Sequence, residues 1–161
     1  MPLLTTLDLA GNPLNSLPRE MFLLMSRYLI YLQSLNLSDT GLTKLPNEIT
    51  LLTSLRILRL SHNQTAELPP NIDELRELEV LDLRQNQINS VPAEMGMLVK
   101  LRVLALGENS IKKVPQEWTT LTNLELLDLC LNLLKEFPEA ILSMTSLTTL
   151  HLDHNDDIKA L

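Results

Sequence analysis

Aromatic side chains are scarce in this chain: one Trp, two Tyr and two Phe among 161 residues. A compact core of ordinary build uses such residues to fill irregular gaps, so something regular must do the filling here. A single cysteine, Cys130, cannot build a disulfide framework, which fits a reducing compartment. Glycine occurs only four times, no glycine-rich phosphate loop is present, and neither GxSxG nor HExxH appears, so the common signatures of catalysis are missing. Cations are outnumbered, with 13 Lys and Arg against 20 acids and a net charge of −7. That balance disfavours nucleic acid, whose binders gain affinity from clustered Lys and Arg. No stretch approaches the roughly 18 uninterrupted apolar residues of a membrane span. The start, MPLLTTLDLA, has no basic residue ahead of its apolar stretch and carries Asp8 inside it, unlike a secretory signal. The expectation is a cytoplasmic protein with neither membrane nor nucleic acid as partner.

What is abundant is leucine, which fills about a quarter of the chain. Its placement is periodic. Leu32, Leu55, Leu78, Leu101, Leu124 and Leu147 recur with a 23-residue period and without a slip. Each is followed three and five positions later by further leucines, as in Leu58 and Leu60 or Leu104 and Leu106, and an earlier copy uses Leu4, Leu7 and Leu9. Eight positions after each opening leucine comes Asn12, Thr40, Asn63, Asn86, Asn109, Asn132 or Asn155. The second half of each copy has the form LPxx(I/M/W)xxL, carried by Leu17-Pro18, Leu45-Pro46, Leu68-Pro69, Val91-Pro92, Val114-Pro115 and Phe137-Pro138.

The LxL portion alternates apolar and polar residues with period two, as a strand with one buried face does. Equivalent strands of successive coils then stack into a parallel sheet. The proline-led half suits a return segment of short helix or 3₁₀ turn, the proline falling in the first turn where its missing N–H costs nothing. One coil cannot bury its own leucines, whereas stacked coils share a continuous core. The asparagines serve buried backbone groups where the chain leaves the strand, since an amide offers both a donor and an acceptor.

The LxxLxLxxN motif with its LPxxIxxL second half resembles the leucine-rich repeat, over residues 3 to 155. The 23-residue form is similar to that of intracellular Ras-group leucine-rich-repeat proteins of animals and plants, and of bacterial ones that include effectors delivered into host cells. The resemblance implies an α/β fold, a right-handed solenoid or horseshoe with parallel strands on the concave face and short helices or 3₁₀ turns on the convex face. One domain is expected over 1–161, in about seven repeats: 1–31 with a five-residue insertion, 32–146 as five regular copies, and 147–161 as a truncated last copy. It further implies a non-catalytic scaffold that needs no cofactor and binds a protein partner.

Departures from the repeat carry the remaining information. The first step, Leu4 to Leu32, exceeds the others by the five-residue insertion, and the excess falls in MFLLMSRYLIY, residues 21–31. Packing of Phe22, Leu24 and Tyr28 against the core is the expectation there, with a local docking protrusion as the alternative. Thr40, in an asparagine slot, predicts irregular stacking beside the insertion. Thr65 stands where other copies have Leu or Ile, which predicts slight loosening. After Asn155 the pattern degrades through Asp156, Asp157 and Ile158 with no polar capping unit. An excised segment of a longer protein is favoured over end-to-end association; a monomer is expected in the first case.

Strand positions facing away from the core vary from copy to copy, and binding preference can reside there. The stripe Ile57, Val80, Val103, Leu126 is apolar. Arg56, Arg59, His62 and Arg84 are expected toward one side of it, with Asp82, Asp128, His151 and Asp153 completing a mixed protein-binding surface. Residues 125–161 hold seven acids and two lysines, so a basic patch on the partner suits that end. Two competing readings stay open. The chain could be the targeting segment of a larger enzyme such as a kinase, GTPase or ubiquitin ligase, or of an effector. Alternatively, His151, Asp153 and His154, or Cys130, could serve a metal or redox role, although these occupy ordinary variable slots.

Overall fold

A computed structural model of the chain describes residues 3–156 and residue 158. Seven three-residue strands form one open parallel sheet in chain order: β1 (Thr6–Asp8), β2 (Ser34–Asn36), β3 (Ile57–Arg59), β4 (Val80–Asp82), β5 (Val103–Ala105), β6 (Leu126–Asp128) and β7 (Thr149–His151). Register follows the repeat, so Leu58 pairs with Leu81, Leu81 with Leu104, and Leu104 with Leu127. Those four leucines are wholly buried, and each removes roughly 1.5–3 kcal/mol worth of apolar surface from water. At the ends of the sheet a neighbouring coil lies on one side only: Leu7 is half-buried and Leu150 is 36% exposed.

The return segments are 3₁₀ turns at Asn47–Leu51, Ile72–Glu74, Ala93–Met97, Gln116–Thr120 and Glu139–Ser143. The prolines sit one step earlier than the sequence suggests. Pro46, Pro92 and Pro115 are extended cap residues, with ψ of 141–142°. Their carbonyls accept from the N–H three residues on, as at Ile49, Met95 and Trp118. The proline's fixed φ thus holds the chain extended up to the turn and supplies its first acceptor. Trp118 fills the slot taken elsewhere by Ile49, Ile72, Met95 and Ile141, fully buried, and its indole N–H donates to the Pro92 carbonyl at 3.2 Å.

In the first coil the five extra residues lengthen the return segment into an α-helix, α1 (Arg19–Tyr28). Phe22 and Met25, three apart on one face, are buried in the core. The expected packing of Leu24 and Tyr28 is not what forms: both are more than half exposed, because a helix that commits positions 22 and 25 inward turns 24 and 28 outward. Tyr28 instead lies beneath the Arg27 guanidinium, 5.5 Å from it.

The asparagine ladder ties each coil to the one before. Asn132 is typical: its amide donates to the carbonyls of Leu129 and Cys130 in its own coil and of Leu106 in the preceding one, and its oxygen accepts from the Ile111 N–H at 2.9 Å. Asn63, Asn86, Asn109 and Asn155 repeat the arrangement. Thr40 cannot reach back. Its hydroxyl donates to Leu37 within its own coil at 2.7 Å, and the first coil answers with a different link, Asn15 N–H to the Thr40 carbonyl. Strand register across this junction nonetheless stays in step, Thr6 with Ser34. Thr65 is buried with its polar group satisfied, because its hydroxyl and N–H both donate to the Asn86 side-chain oxygen.

Candidate functional site: the concave face

The exposed side of the sheet is built of four columns running across the coils, with equivalent side chains roughly 4.8 Å apart. The first column contains Ile57, Val80, Val103 and Leu126 in direct register. All four are half-buried rather than fully displayed, each shielded by its neighbours in the column. The second column reads Arg59, Asp82, Ala105, Asp128, His151, again paired strand to strand. The third reads Ser61, Arg84, Gly107, Cys130, Asp153. The fourth lies on the turn, where Asp39, His62, Gln85, Glu108, Leu131 and His154 all adopt left-handed backbone, with φ of 51–57°.

The basic group expected from the sequence does not survive as one patch. Arg84 is locked in a fork onto Asp82, Nε to Oδ1 at 3.0 Å and Nη2 to Oδ2 at 2.7 Å. That hydrogen bonding raises the guanidinium pKa further above its ordinary value, so the charge is internally compensated. Arg56 lies at the entry edge of the sheet, where it pairs with Glu79. It opens a ladder absent from the sequence reading: Arg102 pairs with Glu125 at 2.9 Å and Lys100 with Glu77 at 2.7 Å, in a groove also lined by Asn123. The alternation Arg, Glu, Arg, Glu at one position of the 23-residue period was the available signal. Arg59 and His62 are exposed and make no ion pair among the described residues, so the cationic part of the face narrows to the third coil.

Next to the Arg84–Asp82 fork the face steps down over Ala105 and Gly107, both buried. The missing side chain at Gly107 makes room for its neighbours: a Cβ there would lie 2.8 Å from the Cys130 Sγ and 2.9 Å from an Asp128 carboxylate oxygen. The Cys130 thiol is pushed up to about 12, first by burial and then by its hydrogen bond to Asp128 and the charge of that carboxylate. Such a thiol is held protonated and is a poor nucleophile. At the C-terminal edge, His154 Nε2 is 3.9 Å from Asp153 Oδ2 and both side chains are more than half exposed. Among the described residues no three His, Cys, Asp or Glu side chains are grouped to hold a metal ion. Asp157, part of the ligand-rich stretch in the sequence, lies outside the described residues.

Two apolar residues on this face fall outside the set that the sequence pattern singles out. Leu131 and Leu133 are 46% and 50% exposed on the turn that follows β6. The other coils show what stands out about them. At the Leu131 position these carry Gly11, Asp39, His62, Gln85, Glu108 and His154; at the Leu133 position, Pro13, Gly41, Gln64, Gln87, Ser110 and Asp156.

A leucine-rich-repeat family model matches residues 2–65 and 99–156. The chain belongs to the leucine-rich-repeat family. The intervening stretch, 66–98, keeps the same coil in the structure, with β4 in register and Asn86 in the ladder. No curated protein sequence matches the chain. Among solved structures, the leucine-rich-repeat ectodomain of the Arabidopsis thaliana receptor kinase SOBIR1 is 31% identical, with a TM-score of 0.70 over 79% of this chain and 72% of that one. The ectodomain of the Arabidopsis thaliana membrane receptor kinase GASSHO1/SCHENGEN3, solved in complex with CASPARIAN STRIP INTEGRITY FACTOR 2, is 34% identical, with a TM-score of 0.76. It is matched over 86% of this chain, which spans only 17% of that receptor's. Internalin C2 of Listeria monocytogenes, at 24% identity, shares the fold over 99% of this chain and 66% of its own, with a TM-score of 0.85. Among the described residues no helix is long and apolar enough to cross a membrane.

Proposed function

We propose that the chain is a non-catalytic interaction module that binds another protein through its concave face. The observation that carries this reading is the first column: Ile57, Val80, Val103 and Leu126 form an apolar row in direct register, bordered by charged side chains, which is the anatomy of an interface with an apolar centre and a polar rim. Support also comes from the GASSHO1/SCHENGEN3 ectodomain, which was solved bound to another molecule. The test is affinity capture with wild type and a Val80→Asp, Val103→Asp variant whose circular dichroism matches wild type. Loss of the captured partner is expected; identical partner lists from the two proteins would sink the proposal.

A further inference from the structure

We propose that the sixth and seventh coils dock a basic segment of a partner protein, one that inserts an aliphatic or aromatic side chain between flanking lysines or arginines. This rests on the concave-face reading above and names the chemistry of the occupant.

Singly exposed leucines are ordinary on protein surfaces. The pair on the sixth coil differs because two columns that carry no large aliphatic or aromatic side chain in any other copy both turn to leucine, at Leu131 and Leu133. They form an exposed apolar strip on the turn that follows β6, separated from half-buried Leu126 by the outward residues Asp128 and Cys130.

Charge selects the occupant. The side chains around the strip are Glu108 and His154 in the Leu131 column, Asp156 in the Leu133 column, and Asp128 and Asp153 in the columns before them. The arginines of the two preceding coils are already committed, Arg84 to Asp82 and Arg102 to Glu125. Between Glu125 and Asp156 the sequence holds six acids, of which Glu125 is paired with Arg102, against one lysine, Lys135, so these two coils carry net negative charge. An acidic or neutral apolar partner would bury leucine at the expense of repulsion or unpaired carboxylates, whereas a basic one gains on both counts.

Structural duty does not account for Leu131. It holds φ of 51°, a backbone state that Gly, Asn or Asp adopt with less strain, and it is too exposed to be compensated by core packing. This makes Leu131→Asn an unusual probe, because the change suits the backbone while removing the anchor.

The experiment titrates the chain with three synthetic peptides of equal length, alternating Lys-Leu, Lys-Ser and Glu-Leu, and follows amide shifts by NMR. The Lys-Leu peptide is expected to perturb residues around Leu126, Leu131 and Asp153 most strongly and to bind best. A Leu131→Asn, Leu133→Asn variant should melt no lower than wild type and lose about 10-fold in affinity for it. An Asp153→Asn, Asp156→Asn variant should weaken binding and flatten its salt dependence. Unchanged affinity in the leucine variant, equal binding of all three peptides, or shifts confined to the third and fourth coils would overturn the proposal. Partner capture separates it from the broader reading. Capture lost with Val80→Asp, Val103→Asp but intact in the Leu131→Asn, Leu133→Asn variant leaves the concave face standing and removes this site; capture intact in both removes the two together.

Discussion

The first two coils and the fifth and sixth depart from the common repeat in opposite places. At the junction of the first two coils the irregularity is internal: α1 replaces a 3₁₀ turn, Thr40 interrupts the asparagine ladder, and Asn15 supplies a substitute link. In the fifth and sixth coils the interior is regular, with Leu104 and Leu127 wholly buried and Asn109 and Asn132 fully bonded, while Gly107, Cys130, Leu131 and Leu133 alter only the outward columns. Internal change alters stacking and hence stability. Outward change at constant stacking alters what can bind.

The sharpest way to break this contrast is to truncate equivalent leucines. Leu104→Ala, in the middle of the sheet and wholly buried, is expected to cost about 4 kcal/mol in urea unfolding. Leu7→Ala, half-buried on the outer strand, should cost about 1 kcal/mol. Equal losses would show that the array melts as one unit indifferent to position, and would remove the energetic distinction between its ends and its middle.

The ladder provides the next test. Asn132→Ala deprives the Ile111 N–H and three carbonyls of their partner deep in the structure and is expected to cost about 3 kcal/mol. Thr40→Ala removes a single hydroxyl, which donates to the Leu37 carbonyl and also lies within reach of the Asn63 side-chain oxygen, so about 1 kcal/mol is expected from the same slot. If the two changes proved equivalent, the threonine would be acting as a full rung in spite of its shorter reach.

Much of the interior was legible in the sequence, because the 23-residue period repeats every core and ladder position and the physics of one coil applies to all. Strand positions, the outer 3₁₀ turns and the asparagine bonding follow from that. What the period could not convey was side-chain choice among alternatives of similar local merit. Phe22 and Met25 took the inward face of α1 and left Leu24 and Tyr28 outside, which depends on the rotation of a helix that no other copy contains. The fate of Arg56 and Arg84 was also hidden, since a cation in an outward column reads as free until the neighbouring coil places a carboxylate against it. Leu131 and Leu133 were visible all along as exceptions within their columns, but only the columns' exposure gives that exception meaning.

A smaller effect is expected at the step in the face. Gly107→Ala places a Cβ against the Asp128 carboxylate and the Cys130 thiol, ends of side chains that can shift. A cost of about 1 kcal/mol is expected, with the ladder and the strand register retained. Amide exchange protection at Leu104 and Leu127 should be unchanged; if it collapsed, the surface and the interior of these coils would not be separable.

The finest test leaves stability almost untouched and reads the surface of the sixth coil through Cys130. Its thiol stands near 12 against an ordinary 9.0, so at neutral pH its thiolate population is roughly 1000-fold below that of a free cysteine. Alkylation by iodoacetamide should therefore be slow in the native protein and fast in urea. Because the folded value is raised, the fold favours the protonated thiol: the associated stabilisation is fully present below about 9 and is lost as pH rises toward about 12. Asp128→Asn removes the carboxylate charge while its amide oxygen can still accept from the Cys130 N–H, the bond that shapes the turn. Burial is the larger cause of the shift and remains, so the thiol should come down only part of the way and alkylation should speed up without a change in the urea midpoint. A variant that reacted faster only because it unfolded more readily would tie the outward columns to the stacking after all.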